Sequence, residues 1–174
     1  MAERNRFNGG ENAGRWTERA FRWHGASSGG SDGDEERRVS PLAQLYVSFL
    51  EEEGYRPHID EDGDVVFKEE GRTYFIDVDD SDEEFFRIVF PNFWEIESSE
   101  ELARVIFAAN YATMKTKVAK VYVRSDGKDT IASAELFFGD REQFKPVFHR
   151  AMAAIRAAVH SFVQKVREAD DDGV

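Results

Sequence analysis

A chain of 174 residues with 41% hydrophobic side chains and fifteen Phe can fill one aromatic core and carry an extension besides. The absence of cysteine excludes a disulfide framework, a thiolate zinc site and a thiol nucleophile, and suits a reducing compartment. The formal charge of −12 falls on residues 41–174, which hold 16 basic and 28 acidic side chains, so that part disfavours nucleic acid and anionic membranes as partners.

The first 39 residues read as a flexible extension rich in Gly, Arg and Ser. They open on Met-Ala-Glu-Arg-Asn-Arg-Phe-Asn-Gly-Gly, without the apolar run of a secretion signal. No stretch of the chain approaches ~18 consecutive apolar residues, so a cytoplasmic protein is expected. One island interrupts the extension, from Arg15 to His24. On a helix Trp16, Ala20 and Trp23 share a face, with Arg15, Arg19 and Arg22 on an adjacent stripe. Trp side chains favour a partly buried setting, so this island is expected to dock, either on the acidic domain or on another protein. Nucleic acid and membrane are the weaker options, since three Arg on about three turns is short for membrane adsorption.

Residues 40–168 read as one domain. Ser40-Pro41 supplies an N-cap and a first helical residue, and Leu42, Leu45, Tyr46, Phe49 and Leu50 form one apolar stripe that Gly54 ends. Three strands follow, Asp64–Lys68, Arg72–Val78 and about Glu84–Phe90, separated by Glu69-Glu70-Gly71 and the acidic turn Asp79–Asp82. Ser98-Ser99-Glu100-Glu101 starts a second helix, which Leu102, Val105, Ile106, Ala109 and Tyr111–Ala112 carry towards Met114. Lys117–Arg124 and Thr130–Phe138 form a hairpin about Asp126-Gly127. A long third helix is expected from about Asp140 to Glu168, with 169–174 as an acidic tail. The fold class is therefore α+β: an antiparallel sheet of about five strands, in the order α-β-β-β-α-β-β-α, with the helices on one face.

Strand parity divides the sheet. One face carries Val65, Phe67, Tyr74, Ile76, Phe86, Ile88, Phe90, Val121, Ala134 and Leu136, and belongs under the helices. The other mixes charge with Val66, Phe75, Phe85, Val89, Tyr122 and Phe137. That is more apolar mass than a solvated face needs, and it marks a partner or dimer surface unless the extension or a helix covers it.

Chemistry finds little support. Asp60-Glu-Asp-Gly-Asp64 has its Gly at the fourth position instead of the sixth, so it fails as a calcium loop. The turn acids Asp77, Asp79, Asp80 and Asp82 read as solvated. His24, His58, His149 and His160 are dispersed, and no phosphate loop or nucleophile elbow is present. No catalytic residue, metal site or cofactor is expected, and the chain is not expected to be an enzyme.

The run from Glu53 to Lys68, Ala108-Ala-Asn110, Lys117–Val123, Ala134-Glu-Leu-Phe-Phe138 and the pattern of Phe144–Phe162 resemble the YbjN-like family of bacterial proteins, named for sensory-transduction regulation. That family is similar in element order to class I type III secretion chaperones. The resemblance covers roughly residues 41–168 and omits the extension. It implies a small acidic domain, often a homodimer, that binds protein or peptide without catalysis, and in which Asn110 caps the middle helix. The functional expectation is a chaperone-like or adaptor domain that holds a segment of another protein through Val66, Phe75, Phe85, Val89, Tyr122 and Phe137, with Trp16 and Trp23 as further contacts. The alternatives are a structural homodimer or subunit, and a regulator that binds a small ligand.

Overall fold

The computed structural model describes residues 40–171. The extension 1–39, with Trp16 and Trp23, and the last three residues lie outside the described residues.

Helix α1 (Pro41–Glu52) starts where the sequence places it. The Ser40 hydroxyl oxygen accepts from the N–H groups of Leu42 and Ala43, both at 3.1 Å, and its own proton goes to Asp80. The helix closes on Gly54 at φ +87°, where Tyr55 N–H returns to Leu50 C=O and Gly54 N–H to Glu51 C=O. Paired bonds of this kind satisfy the last helical carbonyls, and the left-handed residue between them favours Gly.

The strands are β1 (His58–Ile59), β2 (Val65–Glu69), β3 (Arg72–Asp77), β4 (Phe85–Phe90), β5 (Ala119–Val123) and β6 (Thr130–Phe137). They form one sheet, antiparallel throughout, in the order β1-β2-β3-β4-β6-β5. The six strands exceed the expected five by β1, whose two residues pair with Val66 and Val65. Two residues are too few to show an alternating pattern. The β2–β3 turn is Glu70-Gly71, both at positive φ (50° and 77°), which matches the right-handed twist of the flanking strands.

Helix α2 (Ser99–Lys115) and helix α3 (Phe148–Asp171) join α1 over one sheet face. The expected single long helix is divided. Residues Arg141–Val147 form a 3-10 helix containing Pro146, and α3 begins at Phe148. Pro146 has no N–H for the α-helical ladder, and its ring crowds the preceding turn.

The core is the face that parity assigned to it. Val65, Phe67, Tyr74, Ile76, Phe86, Ile88, Phe90 and Ala134 are buried in one cluster with Leu42, Tyr46, Phe49, Phe144, Phe148 and Phe162. Aromatic rings knit it: Tyr46 meets Phe144 edge-on at 4.9 Å and Phe49 meets Phe144 at 5.0 Å. The connection after β4 adds Phe93 and Trp94, both against Phe162. Trp94 Nε1 donates to Glu101 at 3.0 Å, and Glu101 also accepts from Glu97 N–H at 2.8 Å. Glu101, expected as a first-turn acid, is thus a buried brace between α2 and this connection.

No helix among the described residues is long and apolar enough to cross a membrane.

Candidate functional site

Helix α2 buries a narrow strip of mostly small side chains: Val105, Ala108, Ala109 and Ala112. Alanines let the helix lie close to its neighbours, and they leave its larger apolar residues outside. Ile106, expected as part of the helix's inward pattern, is 52% exposed. Phe107 is 58% and Met114 67% exposed. Ile106, Asn110 and Met114 follow at four-residue spacing, so they run along one side of the helix. Val118, just past α2, is 47% exposed and holds φ at +58°. A β-branched residue rarely adopts that conformation, because its side chain crowds the backbone there.

Between α2 and β5 lies an open groove of about 580 Å³, with Leu102, Ile106, Ala109, Val121 and Val123 among its walls. Its polar groups are Asn110, Thr113, Tyr122, Arg124 and Ser125. Among the described residues no carboxylate or histidine lines it, so they supply no proton-transfer pair there.

The outer edge of β5 is closed by α2. The Thr113 hydroxyl accepts from Val121 N–H at 2.8 Å and lies 3.1 Å from Val121 C=O, to which it donates. The Thr116 hydroxyl donates to Ala112 C=O at 2.8 Å and stands 3.5 Å from Ala119 C=O. Strand addition needs the unpaired backbone groups of an edge, and here those of Val121 are already engaged. The groove is consequently a place for side chains, with little backbone left to pair.

The residues expected as partner contacts separate into three groups on the second sheet face. Val66, Phe75 and Val89 stand in one cross-strand row. Val66 and Val89 keep only 6% and 1% of their surface, yet both lie outside the main core cluster. Phe85 pairs with Phe137 at the far end of the sheet, rings 5.2 Å apart, and Phe137 is 76% exposed. Tyr122 stands apart from both and borders the α2–β5 groove.

A charged network fills the middle of that face. Arg87 donates to the Tyr122 hydroxyl at 2.7 Å and lies 3.6 Å from Asp77 and 3.5 Å from Glu135. Glu135 also accepts from Lys120 and from Ser133. Burial raises the Tyr122 phenol above its ordinary range, with Arg87 opposing. Charged residues thus separate the apolar groups of this mixed face.

Elsewhere Asp64 is the most displaced carboxyl. Burial, followed by the charges of Asp77, Asp60 and Asp62, lifts it from 3.8 to about 7, and a hydrogen bond from Val78 N–H opposes the rise. Asp60 spends its carboxylate on the N–H groups of Asp62 and Asp64, as a local turn does. His149 lies 2.7 Å from Glu53 at the surface. Among the described residues no group of three or more His, Asp or Glu is placed to hold a metal ion.

Sequence reasoning missed Phe107, Met114 and Val118 as candidates. The available signal was an apolar arc on α2 too wide for one buried stripe, since Ile106 and Phe107 are adjacent.

No protein-family model matches this chain, and no curated protein sequence does. Two of the solved structures similar to it are as follows. One is an uncharacterised protein from Methanothermobacter thermautotrophicus, at 12% identity and a TM-score of 0.45, covering 74% of this chain and 98% of that one. The other is YbjN, described as a proposed transcription regulator from E. coli, at 12% identity and a TM-score of 0.48, covering 78% of this chain and 95% of that one.

Proposed function

We propose that this domain is a non-enzymatic binding module that holds a segment of another protein. The observation that carries the reading is the outer face of α2. Ile106, Phe107, Met114 and Val118 are about half exposed or more, next to a groove with apolar walls and, among the described residues, no acid–base pair. Apolar surface of this kind costs free energy in water, at ~25 cal/mol per Å², and a folded domain gains by covering it. The second sheet face contributes Phe85, Phe137 and Tyr122 as further contacts. Val66 and Val89 lie on the same face but keep little surface of their own. Phe75 completes their row. Trp16 and Trp23, expected as further contacts, lie outside the described residues.

A homodimer is the competing reading, favoured by the same exposed helix. Photo-crosslinking separates the two. A benzoylphenylalanine placed at Phe107 of the full chain, irradiated in an extract of the native cells, is expected to join one recurrent foreign segment. A control at Glu52 is not. Crosslinks to the chain itself establish the dimer instead, and identical products from both positions refute a specific site.

A further inference from the structure

The domain's charge is divided sharply along the sequence, and the division falls on the groove. Residues 51–101 hold 19 acidic and four basic side chains, a net of −15. Residues 102–133, which build α2 from its second turn, β5 and the start of β6, hold six basic and two acidic, a net of +4. The two acids are Asp126 and Asp129, both beside Arg124. Lys115, Lys117 and Lys128 are exposed close in sequence to the apolar stripe or on the groove's turn. The apolar surface on α2 is therefore set in the most positive stretch of the domain, apart from the acidic residues 51–101.

We propose that the α2–β5 groove takes an amphipathic helix whose polar flanks are acidic. The inference rests on the segment-binding function above and names the chemistry of the segment. Helical form follows from the sealed edge. With Thr113 on both backbone groups of Val121, an extended peptide finds little to pair with, whereas a helix needs only side-chain pockets. Acidic flanks follow from the cations. Apolar side chains enter the groove and cover Ile106, Phe107 and Met114, while Asp or Glu on either side meets Lys115, Lys117 and Lys128. A second copy docking through its acidic β2–β4 side would leave two unlike surfaces in contact, which propagates rather than closes. Nucleic acid meets the same cations but gains nothing from Phe107 and Met114, and the flanking −15 repels it.

The test uses the full chain and a fluorescent peptide of about four helical turns. The peptide carries Leu at spacings of three and four and Glu elsewhere; in two controls Gln or Lys replaces every Glu. Anisotropy is expected to show the Glu peptide binding at least tenfold more tightly than the Gln peptide, and the Lys peptide not at all. Raising the salt should erode that preference. Lys115→Glu with Lys117→Glu should reverse the order of the peptides. Phe107→Ser with Met114→Ser should weaken the Glu and Gln peptides alike, and circular dichroism checks that both variants fold.

Equal binding of the Glu and Gln peptides, still lost with Phe107 and Met114, removes the acidic partner and leaves the binding module. No peptide binding, while the Phe107 crosslink to a foreign segment persists, also overturns the inference and spares the function. Displacement of the Glu peptide by an oligonucleotide assigns the cations to nucleic acid. Light scattering that shows a dimer dissociated by the Phe107 and Met114 changes assigns the groove to a second copy. Each of the last two results overturns the proposal.

Discussion

Replacing Asp64 by Asn tests the electrostatics of the β1–β2 turn. The folded protein holds this carboxyl at about 7, against 3.8 ordinarily. Between those values the folded state binds a proton that the unfolded chain has released, so stability is full below about pH 4 and falls as pH rises through 7. Three units of displacement correspond to about 4 kcal/mol between the protonated and ionised folded forms. Asn keeps an oxygen for Val78 N–H and removes the charge that Asp60, Asp62 and Asp77 oppose. The displacement is already net of the Val78 bond, and relaxation of the turn with partial solvent screening reduces it, so about 2 kcal/mol of gain at pH 8 is the expectation. Urea midpoints at pH 5 and pH 8 measure it. Wild type should lose stability between the two pH values by more than Asp64→Asn does, and the gap between the two proteins should narrow further as pH falls to about 4. Parallel profiles, or a variant weaker at pH 8, would refute the reasoning.

Three further substitutions probe the α2–β5 region. Val118→Gly relieves a left-handed β-branched residue and should raise stability by about 1 kcal/mol in denaturant melts, with weaker crosslinking from Phe107 if Val118 belongs to the contact. Thr113→Val removes the hydroxyl that serves both backbone groups of Val121. It should cost about 2–3 kcal/mol, speed amide exchange at Val121 and promote self-association through the opened edge, readable by light scattering. Glu101→Ala removes the acceptor that serves the Trp94 indole N–H and the Glu97 amide, and should lower the thermal midpoint by an amount equivalent to about 2–3 kcal/mol.

Much of the fold was legible because sheet burial has a strict period of two. Once Phe67, Tyr74, Ile76 and Ile88 fall on one face, the core follows, and the caps at Ser40 and Ser98 mark two helix starts. Pro146 was equally visible and should have divided the last helix. The site was harder to read. Ile106 and Val105 are neighbours of similar hydrophobicity, and only packing against β5 and α3 decides which turns inward. The role of Thr113 depends on where α2 lies relative to β5, which no local pattern encodes. The second face is legible as a mixture of charge and apolar mass, but parity does not show that Arg87, Asp77 and Glu135 come together across its middle.

The central seam of the sheet sets a kinetic order. Strands β2–β3 and β5–β6 are local hairpins, which close in about microseconds. The β4–β6 ladder joins residues 42 to 52 positions apart, from Phe90 with Ala132 to Phe85 with Phe137. Closing so long a loop costs entropy before any contact returns it, and the whole of α2 lies inside that loop. The slow step is therefore the docking of two preformed halves, and Ile88 and Ala134, paired at the middle of the seam, are where a change should retard folding more than it hastens unfolding.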